Sequence, residues 1–392
     1  MHPSPLAPVA WTDLIDTATA RIDRITPLRG RVAAVLARIE HMLGRHSDSA
    51  ARAVPSAGAT YPYEILLAAG PGGPIALVDP ARRQLLIRAD DDFPLDASEY
   101  WCLLVGRPWL SMRKYGPRGY LYHLVDSGHA IFNLALLGTD SDVPQRDRRP
   151  SQDPPTGQIV GTVLAAGVVT ASGAPPVTGW RCTTTVESDL QIGRTAYEEW
   201  AVRASPVGPR HPIRFDRVST VPGDPAQFVT ARRSASAFRG AMPAHVLDAV
   251  LTAGTHCADA VLAQLGLERP VVRIAGAASG AVAIPAGDLL AALNGQDHLL
   301  DADAFVVLGG PRGTGDTVDD GRQALLIALG VLGQALYLAA TRHGVAVTGV
   351  GGFAPEFWND LLPRDQQALY LIALGRAGGG GKSDALYPGA HR

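Results

Sequence analysis

The sequence predicts a chain of two homologous halves, near residues 1–200 and 210–392, each built from strands and helices around one long apolar helix. Three observations predict this. First, the chain matches itself when slid by 202 positions: Tyr100–Val105 falls on Ala302–Val307, Gly119 on Gly321 and Gly128 on Gly330. No gap is needed from residue 98 to residue 138. Second, Leu124–Leu137 falls on Leu326–Ala339, two strongly apolar helical patterns without an interior Pro. Third, 46% hydrophobic and 18% charged residues over 392 positions is a globular composition with room for large cores.

Charge and cysteine content exclude several classes. The 35 basic and 37 acidic residues nearly cancel, so the chain has no electrostatic footprint for nucleic acid or an anionic membrane. Cys102, Cys182 and Cys257 are odd in number and far apart, which gives neither a disulfide framework nor a C-x-x-C motif. They read as small core residues in a reducing compartment. Met1-His-Pro-Ser-Pro5 lacks the basic and apolar regions of a signal peptide, and a cytoplasmic location is expected. The longest apolar run, Leu325–Ala340, contains Gln334 and reads as a buried core helix, not a membrane span. No Gly-x-Gly-x-x-Gly follows a strand, so nothing supports a nicotinamide domain.

The 43 Gly and 30 Pro residues predict many loops. In the first half, Pro55-Ser-Ala-Gly-Ala-Thr-Tyr-Pro62 has little side-chain bulk, so its N–H groups can approach a flat or anionic ligand. As local chemistry it is equally an ordinary turn before the apolar run Ile65–Ala69. Next comes Arg113-Lys-Tyr115, whose Lys114 and Tyr115 can trade a proton if burial or charge shifts a pKa, or be a surface Lys beside a packing Tyr. His129 and Asn133 sit four apart on one helix face and read as a structural polar pair. Thr139–Pro155 reads as a surface loop and 205–215 as a linker between units 1–204 and 216–392.

In the second half, Arg232, Arg233 and Ser234 precede a helix expected from Pro243; such a turn can hold a phosphate or simply be solvated. Gln296 lies in a polar turn. Gly349-Val-Gly-Gly-Phe353 follows the second long helix, and its Gly351 and Gly352 leave backbone groups free to face a ligand. Arg376 closes the run Leu369–Gly375, and 378–381 reads as a flexible tail.

Pro55–Glu64, Lys114-Tyr115 and the Asp126-x-Gly-His129 helix together resemble SagB-type azoline dehydrogenases, a branch of the FMN-dependent nitroreductase superfamily. Arg232–Phe238, Gly349–Phe353 and Leu369–Arg376 resemble that superfamily more generally. The resemblance implies an α+β fold: two fused halves, each a mostly antiparallel sheet flanked by helices, joined as an intramolecular pseudo-dimer with helices 124–138 and 324–341 at its core. It implies FMN as cofactor, with Pro55, Ser56, Ala57, Gly58 and Ala59 on the flavin ring and Arg232, Arg233 and Ser234 on its phosphate and ribityl chain. Gly351 and Gly352 would lie by the flavin N5, and Arg376 near the phosphate. The family's later basic residue is Ser236 here, so Gln296 is a candidate substitute at the pyrimidine edge.

At the 202 offset Pro55 lands on Cys257, Arg232–Phe238 on Gly30–Leu36 and Gly349–Phe353 on Asp147–Ser151, so each element survives once. Family members are homodimers with two sites built from both subunits; the resemblance therefore implies one complete FMN site between the halves. It implies oxidation of thiazoline or oxazoline rings in a ribosomally made peptide, with Lys114 and Tyr115 taking the ring proton, the flavin taking hydride and oxygen reoxidising the flavin. A cyclodehydratase or leader-peptide-binding protein is the partner it implies. Another flavin dehydrogenation, nitroreduction, or flavin binding without catalysis are the alternatives.

Overall fold

A computed structural model describes residues 21–44, 52–70, 73–80, 83–88, 91–139, 162–171, 179–186, 211–284, 287–312 and 320–378. Most of the loop expected over 139–155, of the linker over 205–215 and of the tail at 378–381 lies outside them. The first half contributes β1 (Arg21–Pro27), α1 (Arg31–Leu43), β2 (Tyr63–Ala68), β3 (Ile75–Asp79), β4 (Gln84–Arg88), β5 (Glu99–Gly106), α2 (Pro108–Tyr115), α3 (Gly119–Thr139), β6 (Thr162–Thr170) and β7 (Arg181–Val186). The chain continues with β8 (Ile213–Arg214), α4 (Ala244–Leu265), β9 (Val271–Gly276), α5 (Leu289–Ala292), β10 (Ala304–Pro311), α6 (Asp320–Arg342), β11 (Ala346–Val350), α7 (Pro355–Asn359) and β12 (Gln366–Gly375).

Two sheets form. One has the order β1-β7-β4-β3-β2-β5-β6-β8 and the other β11-β12-β10-β9. Neighbours run antiparallel except β4 with β7 and β6 with β8. β5 lies between β2 and β6 as β10 lies between β9 and β12, so the strands aligned by the 202 offset occupy matching places. The short β8, inside the expected linker, pairs with Ala165 and Ala166 of the first half.

The apolar runs of β5 and β10 follow from burial on both faces. On β10, Ala304, Val306 and Leu308 enter the main core, while Phe305 and Val307 face a second cluster with Phe353 and Trp358. On β5, Cys102 and Leu104 enter the main core; Trp101, Leu103 and Val105 face the other way. All three cysteines are unbridged and buried, as their isolation in the sequence indicates.

Helices α3 and α6 meet in the middle of the main core. A Cβ on Gly128 would lie 2.2 Å from the Ile327 carbonyl, and one on Gly330 would lie 2.0 Å from the Val125 carbonyl. Only paired glycines permit that backbone approach, and they are the two that the offset superposes. A residue touching its own counterpart is what a two-fold axis produces. Nearby, Gln334 Nε2 donates to Asn133 Oδ1 at 2.8 Å, and Asn133 Nδ2 donates to the Met42 carbonyl at 2.8 Å. Among the described residues, Ala244–Leu265 and Gly321–Arg342 are long and apolar enough to cross a membrane; the most apolar stretch of the latter is largely buried inside the fold.

Candidate functional site

The small-residue loop at 55–61 is strained and tied down. Gly58, Ala59 and Tyr61 all have positive φ (58°, 57° and 43°), costly for the two non-glycines. Its anchor is Asp126 on α3. Ser56 Oγ donates to Asp126 Oδ2 at 2.7 Å and the Ala57 N–H reaches the same oxygen at 3.1 Å. The Tyr61 N–H donates to Ser56 Oγ at 2.9 Å, and the Arg52 guanidinium stacks 4.1 Å from the Tyr61 ring centre. The Ser56 hydroxyl and Ala57 amide therefore close the loop on the protein. Pro55 is buried; Gly58 and Ala59 form the exposed tip.

Asp126 is 3% exposed. Burial pushes its carboxyl up to about 7, against the lowering effect of the Ser56 and Ala57 hydrogen bonds. His129 Nδ1 lies 3.8 Å from Asp126 Oδ1, but burial and the nearby Arg232 charge lower the imidazole to about 3. A neutral ring makes this a packing contact, not an ion pair. His129 Nε2 faces the Tyr370 hydroxyl at 3.3 Å. His129 and Asn133 thus belong to separate networks instead of pairing with each other.

Lys114 and Tyr115, at the end of α2, reach the loop tip. Lys114 Nζ donates to the Gly58 carbonyl at 3.2 Å. A Cβ on Gly58 would fall 2.3 Å from the Tyr115 hydroxyl and 2.5 Å from Lys114 Nζ, so both polar atoms converge on that point. Where α2 begins, the buried Arg107 pairs with Glu64 of β2 (Nη2 to Oε2, 2.6 Å) and its N–H donates to the Pro62 carbonyl at 2.9 Å. This clamp fixes the loop's exit to the helix bearing Lys114.

The second half closes around the same place. Arg232, 3% exposed, donates from Nε to the Ala53 carbonyl (2.9 Å), from Nη2 to the Arg52 carbonyl (3.0 Å) and from Nη1 to Ser234 Oγ (3.2 Å). Ser234 Oγ meets the Tyr337 hydroxyl at 3.3 Å, and Tyr337 accepts from the Gly349 N–H at 2.5 Å. The Tyr122 hydroxyl on α3 donates to the Gly351 carbonyl, and its ring stands edge-on to Tyr115 at 5.0 Å. These contacts form a closed circuit, from Ala53 through Arg232, Ser234, Tyr337, the 349–352 loop, Tyr122 and Tyr115 back to Gly58.

Three residues expected at the site are placed differently. Gln296 Nε2 donates to the Gly352 and Leu293 carbonyls, so its amide shapes the glycine loop. Arg233 donates to the Thr230 and Arg232 carbonyls. Arg376 is exposed beyond β12; its carbonyl accepts from the Arg239 N–H and its side chain lies beside Gly240. Sequence reasoning passed over Tyr122, Arg118, Tyr337 and the anchoring role of Asp126. The signal for Asp126 was its place in the Asp126-x-Gly-His129 motif, a carboxylate in a mostly apolar helix. No group of three or more His, Cys, Asp or Glu able to hold a metal occurs among the described residues.

Among solved structures, a protein assigned to the nitroreductases, from Anabaena variabilis ATCC 29413, aligns over 88% of this chain and 88% of its own, with TM-score 0.56 and 20% identity. The fold is nitroreductase-like. A nitroreductase family protein from Clostridium difficile 630 matches 41% of this chain and 88% of its own (TM-score 0.28, 16% identity). A protein assigned as an NAD(P)H:FMN oxidoreductase, from Staphylococcus epidermidis ATCC 12228, matches 42% and 92% (TM-score 0.30, 14% identity). No protein-family model matches the chain, and no curated protein does. The nitroreductase-like fold observed here is the mixed α+β architecture the sequence predicts, with sheets flanked by helices and an arrangement compatible with two fused halves.

Proposed function

We propose that this chain is an FMN-dependent dehydrogenase that oxidises thiazoline or oxazoline rings in a ribosomally made, modified peptide to thiazoles or oxazoles. The observation that carries the reading is the meeting of Lys114 and Tyr115 with Gly58, inside a circuit of contacts that also includes Gly351. The chain's residues fit a flat cofactor. At Gly351 and Gly352 an added Cβ would meet nothing nearer than 3.9 Å and 3.6 Å, ordinary contact distances, so no group crowds the backbone of either. Gly58 and Ala59 supply a second exposed backbone surface from the other half. Ser234 is the polar group of the second half that would hold the cofactor's phosphate arm. Arg232 would act from beneath, through the Arg52 and Ala53 carbonyls. One site of this kind per chain, between the halves of a fused pseudo-dimer, follows from the single copy of each element.

FMN, when bound, supplies the acceptor for the substrate's hydride, and molecular oxygen is the final oxidant. The chain's own part is the proton. The groups placed to take the ring proton are Lys114 and Tyr115, whose polar atoms converge on Gly58. The Gly58 carbonyl holds Lys114 Nζ at the loop tip, and the Glu64–Arg107 clamp holds the helix that carries both. The azoline peptide is the proposed substrate and a cyclodehydratase the proposed partner that makes it.

The test is twofold. Flavin absorbance of the purified chain is expected to give one FMN per chain; two would refute the single split site, and a chain that never binds flavin would sink the reading. With an azoline peptide, mass spectrometry should show loss of two hydrogens per ring. Lys114→Ala and Tyr115→Phe are each expected to slow that loss by about 10²–10⁴-fold. Unchanged rates, or steady NAD(P)H turnover on nitroaromatics without azoline oxidation, would point to another flavin reaction.

A further inference from the structure

We propose that Tyr122 is a positioning residue that aims the Gly351–Gly352 peptide of the second half at the bound cofactor. The inference rests on the flavin reading above and adds a residue from the opposite half to the glycine loop.

The peptide unit is planar and trans, so its C=O and N–H point in opposite directions. The Tyr122 hydroxyl holds the Gly351 carbonyl, which turns the Gly352 N–H to the far side. Among the described residues no group accepts from that N–H. Sterics do not fix the peptide: a Cβ on either glycine would meet only ordinary van der Waals contacts, and two glycines in a row flip a peptide at little cost. Hydrogen bonds on either side leave this one unit unsettled. The Gly349 N–H is held by Tyr337 and the Gly352 carbonyl by Gln296. Tyr122 alone, among the described residues, holds the peptide between them.

The tyrosine is itself well placed to do this. Its ring stands edge-on to Tyr115 at 5.0 Å, and the Arg118 guanidinium lies 5.9 Å from its centre and 5.3 Å from the Phe353 ring. Burial raises the pKa of the Tyr122 phenol, so it remains a hydrogen-bond donor. The residue thus joins the Lys114–Tyr115 pair to the glycine loop, and a shift in one is felt by the other.

The experiment uses the full chain with Tyr122→Phe, which keeps the ring and removes the hydroxyl. FMN affinity is read by flavin fluorescence, the flavin midpoint potential by dye equilibration, and folding by apo-protein melting. The expected result is a Kd raised about 5- to 10-fold, as for one lost hydrogen bond, together with a shifted potential and near-normal melting. Adding Gly351→Ala to Tyr122→Phe narrows the backbone choices at 351 without a clash and should restore part of both. Wild-type Kd and potential in Tyr122→Phe would overturn the proposal. So would a fall in melting temperature with an unchanged potential. If the wild-type chain binds no FMN, the flavin reading itself fails, which is a distinct result.

Discussion

Asp126→Asn should remove a pH dependence of stability that the wild-type chain carries. Asp126 sits 3% exposed, and its carboxyl moves from 3.8 to about 7 on folding, chiefly through burial. The folded protein thus binds this proton more tightly than the unfolded chain. Its stabilising effect is complete below the ordinary carboxylate range and is lost as pH rises through about 7. At about 1.4 kcal/mol per pH decade, ionising Asp126 costs the fold about 4 kcal/mol above pH 7. About 2–3 kcal/mol of this falls between pH 5 and pH 8. Asparagine has the same shape and no charge, and its oxygen in place of Oδ2 can accept from both Ser56 and Ala57. The buried His123 and His129, lowered to about 4 and about 3, give the opposite slope, with stability lost as pH falls below the imidazole range. That slope is common to both proteins and cancels in their difference. Urea unfolding of each at pH 5 and pH 8 is the assay. The variant should gain about 2–3 kcal/mol on the wild type between the two conditions. An equal gap at both pH values would show that Asp126 is not a strained buried carboxylate.

Other expectations follow from single positions. Gly330→Ala would put a methyl 2.0 Å from the Val125 carbonyl and force α3 and α6 apart; a loss of about 2–4 kcal/mol is expected even after the gain in helix propensity, read as a lowered melting temperature. Gly58→Ala would place its methyl on Lys114 Nζ and the Tyr115 hydroxyl, at a φ of 58°; azoline oxidation should fall about 100-fold or more. Glu64→Ala removes the buried carboxylate facing Arg107 and should cost about 3 kcal/mol in denaturant unfolding. Ala59→Gly relieves a positive φ at an exposed position and should stabilise the chain by up to about 1 kcal/mol, measured in the same way.

Much of this fold is written in patterns that a linear reading detects. The apolar runs at 100–105 and 302–307 are β5 and β10, and the two long helices appear within a few residues of their expected bounds. The two glycines that the 202 offset superposes, Gly128 and Gly330, share one close backbone contact, an arrangement compatible with two fused halves. The strands β3 and β4, inserted between β2 and β5, break the correspondence upstream and carry no offset signal. The site was legible only in part. For Ser56 the backbone was expected to approach a ligand, and no local pattern showed that its hydroxyl donates to Asp126 and accepts from the Tyr61 amide. Gln296 was expected at a cofactor edge; its amide donates to the neighbouring Gly352 and Leu293 carbonyls.

The sequence by itself indicated the two long apolar helices and the apolar runs that became β5 and β10, with a spacing that suggests repetition and chemically distinctive elements that each occur once. These are properties of spacing and residue type, fixed along the chain. Only the tertiary structure decided what each polar group does. Arg52 and Arg232 are 180 residues apart, Tyr122 and Gly351 are 229 apart, and no local pattern couples either pair. Packing α3 against α6 through a glycine pair brings Tyr122 to Gly351 and the Asp126 face under the small-residue loop. A donor's role is set by the acceptor it meets, and here that acceptor lies in the other half of the chain.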